Sequence, residues 1–274
     1  MATLGAYYWD TVGTDCRTVY RGDVLRNIIA LSGGVASAWV ADYVLNNIDP
    51  NAILYFNDTK WEHEDLYRFL DDLSRYWGRE IYYDNDGRNP EEVFYDQNML
   101  ANNRVPLCSK ILKAEMLQKF IVPGDVVYFG IDTQEIHRCE RIAAVYRPLG
   151  VECKFPMVEN GVFKPRVFQW LKEIQIEMPT MYKLGFAHNN CSGGCVRSGK
   201  KQWVHLLRTL PDVYAERERV EEEFSILAGR QLTYMKDMSL KQLREIHQLQ
   251  PALDFDLDDS DTVTECIGIC GLQN

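Results

Sequence analysis

The sequence predicts an α/β fold: a doubly wound, mostly parallel five-stranded sheet followed by a mainly helical extension. Three observations predict it. Short apolar runs alternate with stretches of helical periodicity through the first 165 residues, each run stops at a turn of small or polar residues, and strand signals fade beyond that point. Such alternation calls for a parallel sheet covered on both faces.

Asn27-Ile28-Ile29-Ala30-Leu31 reads as the first strand, broken by Ser32-Gly33-Gly34, and Val35 to Leu45 carries apolar residues at helical spacing. Ala52 to Phe56 reads as a second buried strand, ending in Asn57-Asp58-Thr59. Glu62 to Trp77 follows as an amphipathic helix with Leu66, Phe69, Leu70, Leu73 and Trp77 on one side. Glu80 to Tyr83 is a third strand and Asp125 to Gly130 another, with helices expected at Ser109 to Phe120 and Glu135 to Tyr146. From about Gly161 the pattern is helical: Val167 to Ile176, Lys201 to Thr209, Pro211 to Leu227 and Ser239 to Leu249. The expected division is an α/β domain over residues 1–165 and a helical extension over 166–274. In a doubly wound domain, ligands sit at the carboxyl ends of the strands.

The chain of 274 residues is long enough to bury a core without covalent staples. Its N-terminus has no basic segment leading into an apolar one, and no apolar run reaches bilayer length, so a cytoplasmic protein with no membrane partner is expected. In that reducing compartment, closely spaced thiols among the eight cysteines read as metal ligands or redox groups. With 30 Lys+Arg against 40 Asp+Glu, the net charge of −10 excludes a broadly basic nucleic-acid binder. The local basic cluster Arg197, Lys200 and Lys201 is left as a candidate for substrate phosphate or a nucleic-acid backbone, or as an ordinary solvated helix start.

Ser32-Gly33-Gly34-Val35-Ala36-Ser37 lies between the first strand and its helix, where backbone N–H groups and the helix N-terminus can receive an anion, or where a Gly-Gly turn simply joins the two elements. Neither a Walker A loop nor a Gly-x-Gly-x-x-Gly fingerprint is present.

This Ser-Gly-Gly-x-x-Ser turn, with Asp58-Thr59 closing the second strand, resembles the PP-loop superfamily of adenine nucleotide α-hydrolase-like folds. Cys108-Ser109-Lys110-Ile111-Leu112-Lys113, and Gly130 with Glu135 and Arg138, resemble its phosphoadenylyl-sulfate (PAPS) reductase-like branch. The resemblance covers roughly Arg26 to Leu210. It implies that Ser32, Gly33, Gly34 and Ser37 hold a phosphate or sulfate, that Asp58 and Thr59 line a nucleotide site for ATP or a PAPS- or APS-like molecule, and that Lys113 and Arg138 neutralise the anionic end. One departure matters. ATP pyrophosphatases of this type place an Asp before the second Ser to help hold Mg²⁺, and here that position is Ala36. The loss of a hard oxygen ligand tilts the reading toward sulfonyl cleavage, leaving Asp58 and Glu62 as other carboxylates for a metal.

Cys191-Ser192-Gly193-Gly194-Cys195 and Cys266-Ile267-Gly268-Ile269-Cys270 are two Cys-x₃-Cys pairs, able together to supply four soft ligands. The family resemblance adds Cys108 to this set, as in relatives that carry an iron–sulfur cluster. Spacing alone leaves a 4Fe-4S cluster and Zn²⁺ both open. Cys16, Cys139 and Cys153 read as packing residues. A second reading of the tail comes from thioredoxin-dependent PAPS reductases, which end in Glu-Cys-Gly-Leu-His. Cys270-Gly271-Leu272-Gln273 resembles that motif and makes Cys270 a candidate nucleophile.

The expected function is therefore sulfur transfer or reduction on an adenine nucleotide, with a thiol or sulfur-donor protein as partner. Two alternatives stand beside it. One is ATP-dependent thiolation of nucleic acid, as in DNA phosphorothioation proteins of similar architecture or accessories of phage and mobile elements; the other is a non-catalytic nucleotide-binding module with structural zinc. The sequence leaves the oligomeric state open.

Overall fold

The computed structural model describes residues 25–249. In chain order the regular elements begin with β1 Asn27–Leu31, α1 Val35–Asn47, β2 Ile53–Asn57, α2 Glu64–Trp77, β3 Ile81–Asp84 and α3 Pro90–Asp96. A broken helix follows: α4 Leu107–Ser109, a π-helical turn Lys110–Ala114, and α5 Glu115–Phe120. Then come β4 Val126–Phe129, α6 Cys139–Tyr146, β5 Glu152–Lys154, α7 Pro156–Glu159, α8 Lys164–Glu173 and α9 Thr180–Lys183. Last are α10 Lys200–Thr209, α11 Pro211–Ala228 and α12 Leu240–Leu249.

The five strands form one all-parallel sheet in the order β3-β2-β1-β4-β5. Side-chain alternation explains why it is covered on both faces. Ile29, Leu31, Leu54 and Phe56 pack into one core with α1, α2 and α8, whereas Ile28, Tyr55, Val127 and Phe129 pack into another with α5 and α6. The chain leaves β1 toward β2 on one side, and β4 lies on the other side of β1. The connections therefore diverge at the carboxyl ends of β1 and β4, opening the crevice in which this architecture binds ligands.

A third core joins the extension to the sheet domain. Trp203, Leu206, Tyr214, Val220 and Phe224 pack with Trp61, Phe94, Cys108, Cys191 and Cys195. Each large apolar side chain buried here contributes about 1.5–3 kcal/mol. The expected boundary at 165/166 falls inside α8, whose Val167, Trp170 and Leu171 belong to the sheet core. β5 is a strand of three residues, too short to give an alternating apolar signal. Among the described residues, no helix is long and apolar enough to cross a membrane.

Candidate functional site

The turn after β1 is closed on itself by hydrogen bonds. Ser37 Oγ accepts the Ser32 N–H at 3.0 Å and donates to the Gly34 carbonyl at 3.0 Å, and the two serine hydroxyls lie 3.1 Å apart. Gly34 N–H reaches Ser32 Oγ at 3.3 Å. Two glycines are required by this geometry. Gly33 has φ +75°, and a Cβ there would lie 2.4 Å from Leu66 Cδ1. Gly130, at the end of β4, lets that strand approach α1 so closely that a Cβ would lie 2.4 Å from the Ser37 backbone nitrogen. The two sides of the crevice thus meet across backbone.

Beside the turn, Ala30, Leu31, Ser32, Tyr55, Asn57, Lys113 and Leu117 line a small cleft. A second small cleft is lined by Thr59, Ser109, Lys113 and Arg197 together with Cys108, Cys191 and Cys195. Lys113 borders both. Its position comes from the π-helical turn, a distortion that recurs at functional sites.

Glu62 organises the wall between the clefts. His63 caps α2 by accepting the Asp65 N–H on its ring at 3.2 Å, so the helix begins two residues later than the apolar periodicity suggests, leaving Glu62 outside it. Glu62 Oε1 accepts from Thr59 Oγ1 at 3.0 Å and from Lys113 Nζ at 3.3 Å, and Oε2 accepts the Cys191 N–H at 2.7 Å. Both oxygens are committed within the protein.

The first cysteine pair sits in a tight buried loop. Cys191 and Ser192 both have positive φ, at 48° and 53°, and Gly193 follows at 81°. Ser192 Oγ donates to the Trp61 carbonyl at 3.1 Å, and the Arg217 guanidinium lies 3.5 Å over the Trp61 ring. The hydrogen bond to Cys195, burial and the Glu62 carboxylate push the Cys191 thiol well above its ordinary range, against a smaller opposing effect of Lys113.

The structure thus brings Ser32 and Lys113 to one cleft, and Thr59, Lys113, Arg197, Cys108, Cys191 and Cys195 to the other. Thr59, expected beside the nucleotide, faces the cysteines. Asp58, Arg138 and Lys200 line neither cleft. Asp58 Oδ1 accepts the Lys60 N–H and the Tyr67 hydroxyl, both at 2.8 Å; Arg138 donates to Glu135 at 2.6 Å; Lys200 opens α10. Cys139 and Cys153 pack against the sheet core on the α6 side, where burial pushes their thiols up to about 11 and about 12. Cys16, Cys266 and Cys270 lie outside the described residues. Among the described residues, no three His, Cys, Asp or Glu are grouped so as to hold a metal ion.

Sequence reasoning named Glu62 only as a spare metal ligand and passed over Tyr182 and Asn189. Asn189, buried, donates from Nδ2 to the Gly33 carbonyl at 2.9 Å. The closeness of Asn189 to Cys191 in the chain was the available signal.

No curated protein and no solved structure was found to match the chain. Residues 26–198 match the phosphoadenosine phosphosulfate reductase domain, a stretch that begins at the first strand and ends just past the cysteine loop. Because the match spans more than half of the chain and its limits enclose both clefts, the protein belongs to the phosphoadenosine phosphosulfate reductase domain family.

Proposed function

We propose that the protein binds a sulfo-nucleotide of the PAPS or APS type at the Ser32–Ser37 turn and cleaves its sulfonyl group with thiol chemistry. The observation that carries this reading is Lys113, whose side chain borders the nucleotide-side cleft and the cysteine cleft together. A cation there attracts the anionic sulfo end while three thiols stand on its far side.

The carboxylates support reduction over Mg-dependent ATP hydrolysis. Ala36 replaces the acidic residue, Asp58 Oδ1 is held by two donors, and Glu62 is bound at both oxygens. An Mg²⁺ site that drew on Glu62 would have to give up internal bonds first.

In this reading the Cys270 thiolate attacks the sulfo sulfur. A sulfur–sulfur bond forms, the phosphate–oxygen–sulfur bridge breaks at sulfur, and the nucleotide leaves with that oxygen. A thiol of a dithiol donor protein then attacks the Cys270 sulfur and releases sulfite, its second thiol closing the donor's disulfide and freeing Cys270. Arg197, which lines the cysteine cleft with Lys113, is assigned with it to the anionic end of the substrate.

Cys108, Cys191 and Cys195 have donor chemistry suited to an iron–sulfur cluster or Zn²⁺. The described residues do not by themselves group into a metal site, so no step is routed through one. Anaerobic purification with iron, sulfide and zinc analysis tests that point separately.

The test of function is sulfite release from PAPS or APS with a thioredoxin-like dithiol donor. Sulfite formation that is lost in Lys113→Met supports the proposal. Release of AMP and pyrophosphate from ATP, dependent on added nucleic acid and without sulfite, would replace it with the thiolation reading.

A further inference from the structure

A tyrosine from the extension occupies a donor of the anion-binding turn. Val35 is the first residue of α1, and its backbone N–H is one of those that a helix leaves without an internal partner. In the structure this N–H donates to the Tyr182 hydroxyl at 3.3 Å. The same chain segment is fastened beside the turn at two further points, Asn189 to the Gly33 carbonyl at 2.9 Å and the Cys191 N–H to Glu62 Oε2 at 2.7 Å. Tyr182 also packs edge-on against Phe168, with ring centroids 5.6 Å apart.

The three fastenings differ in kind. Those of Asn189 and Cys191 are short and buried, and both close on groups that an anion would not use. The Tyr182 contact is longer, is made by a half-buried side chain, and fills a donor that points where an anion is received. A neutral hydroxyl is a weaker acceptor for that N–H than a phosphate or sulfate oxygen, since charge-assisted hydrogen bonds are roughly twice as strong.

We propose that Tyr182 is a latch on the anion-binding turn: its hydroxyl holds the Val35 N–H and gives it up to an oxyanion of the nucleotide. The inference rests on the reading that the turn binds the nucleotide's anionic group. It makes Tyr182 a positioning residue that discriminates by charge, because a nucleoside without an oxyanion has no means of displacing it.

The experiment compares the native chain with Tyr182→Phe by calorimetric titration of PAPS, ATP and adenosine. The variant keeps the ring against Phe168 and removes the competing acceptor. PAPS and ATP are expected to bind about fivefold more tightly to the variant, the equivalent of ~1 kcal/mol, with adenosine unchanged. A residue that merely supported the turn would shift affinity the other way. Equal or weaker PAPS and ATP binding by the variant overturns the latch and leaves the nucleotide reading standing, as does an equal gain for adenosine. Failure of both chains to bind PAPS and ATP overturns the nucleotide reading and the latch with it. A measurement on the native chain alone gives a second check: hydrogen exchange of the Tyr182–Phe186 amides is expected to quicken when PAPS is added. Unchanged or slower exchange there counts against the latch.

Discussion

The Lys113 ammonium stands 3.3 Å from Glu62 Oε1 in an ion pair whose side chains are 8% and 0% exposed, at the wall between the two clefts. Removing one member of such a pair leaves the other charge buried, which costs about 3–5 kcal/mol. Glu62→Ala is therefore expected to lose stability of that order, and Glu62→Met combined with Lys113→Met to regain part of it. Urea unfolding of the two variants beside the native chain measures this. A loss below about 1 kcal/mol in Glu62→Ala would show that solvent reaches the pair.

Gly130 allows no side chain. A methyl group there meets the Ser37 nitrogen and Cα at 2.4 and 2.6 Å, and these are backbone atoms at the start of α1. Gly130→Ala is expected to push β4 away from the turn, with a cost of about 1–3 kcal/mol and a larger proportional loss of PAPS affinity. Calorimetric binding beside thermal unfolding separates the two effects. Unaltered affinity in a folded variant would contradict the view that both sides of the crevice share the anion site.

Burial pushes the Glu221 carboxyl up to about 7, although the Tyr234 and Leu240 N–H groups, donating at 2.9 and 2.6 Å, hold it down in part. Its folded value lies above the unfolded one near 4.5, so the native chain holds a proton that the unfolded chain has released. The stability this gives is complete below about pH 4.5 and is lost as pH rises toward 7, by on the order of 3 kcal/mol. Urea midpoints measured from pH 4.5 to 7.5 are expected to fall for the native chain and to change less in Glu221→Gln. Parallel slopes in the two proteins would assign the pH dependence elsewhere.

Cys191 is held as the neutral thiol by Cys195, by burial and by Glu62. Since the thiolate is the reactive form, its alkylation is expected to be slow at pH 7 and to keep rising about tenfold per pH unit past pH 9. Mass-spectrometric labelling with iodoacetamide follows this site by site. A rate that levels off below pH 8 would mean that Lys113 outweighs the other three influences.

The sheet was legible because buried parallel strands announce themselves as short apolar runs, as Asn27 to Leu31 and Ala52 to Phe56 do. The turn was legible from Gly33 and Gly34, of which Gly33, at φ +75°, is the one that local geometry demands. Glu62 was harder to read. Its role depends on where α2 starts, and apolar periodicity carried the helix back past His63, whose ring is the actual cap. Tyr182 and Asn189 lie about 150 residues from the turn they touch, and their contacts arise only when the extension folds back over the crevice. Thr59 is a like case: its hydroxyl donates to Glu62, and the residue borders the cysteine cleft.

The wide turn at Lys110–Ala114 sets the phase between Cys108 and Lys113. Five residues of regular α-helix advance about 140° beyond a full turn, which would send these two side chains to different faces. Here the Glu115 N–H closes on the Lys110 carbonyl, five residues back, and both side chains border one cleft. Were these same residues wound as ordinary α-helix, the thiol would swing out of step with the ammonium while every atom of both side chains stayed intact. The reach of the cation into the cysteine cleft is thus a matter of angular timing along one helix, written as a single surplus residue.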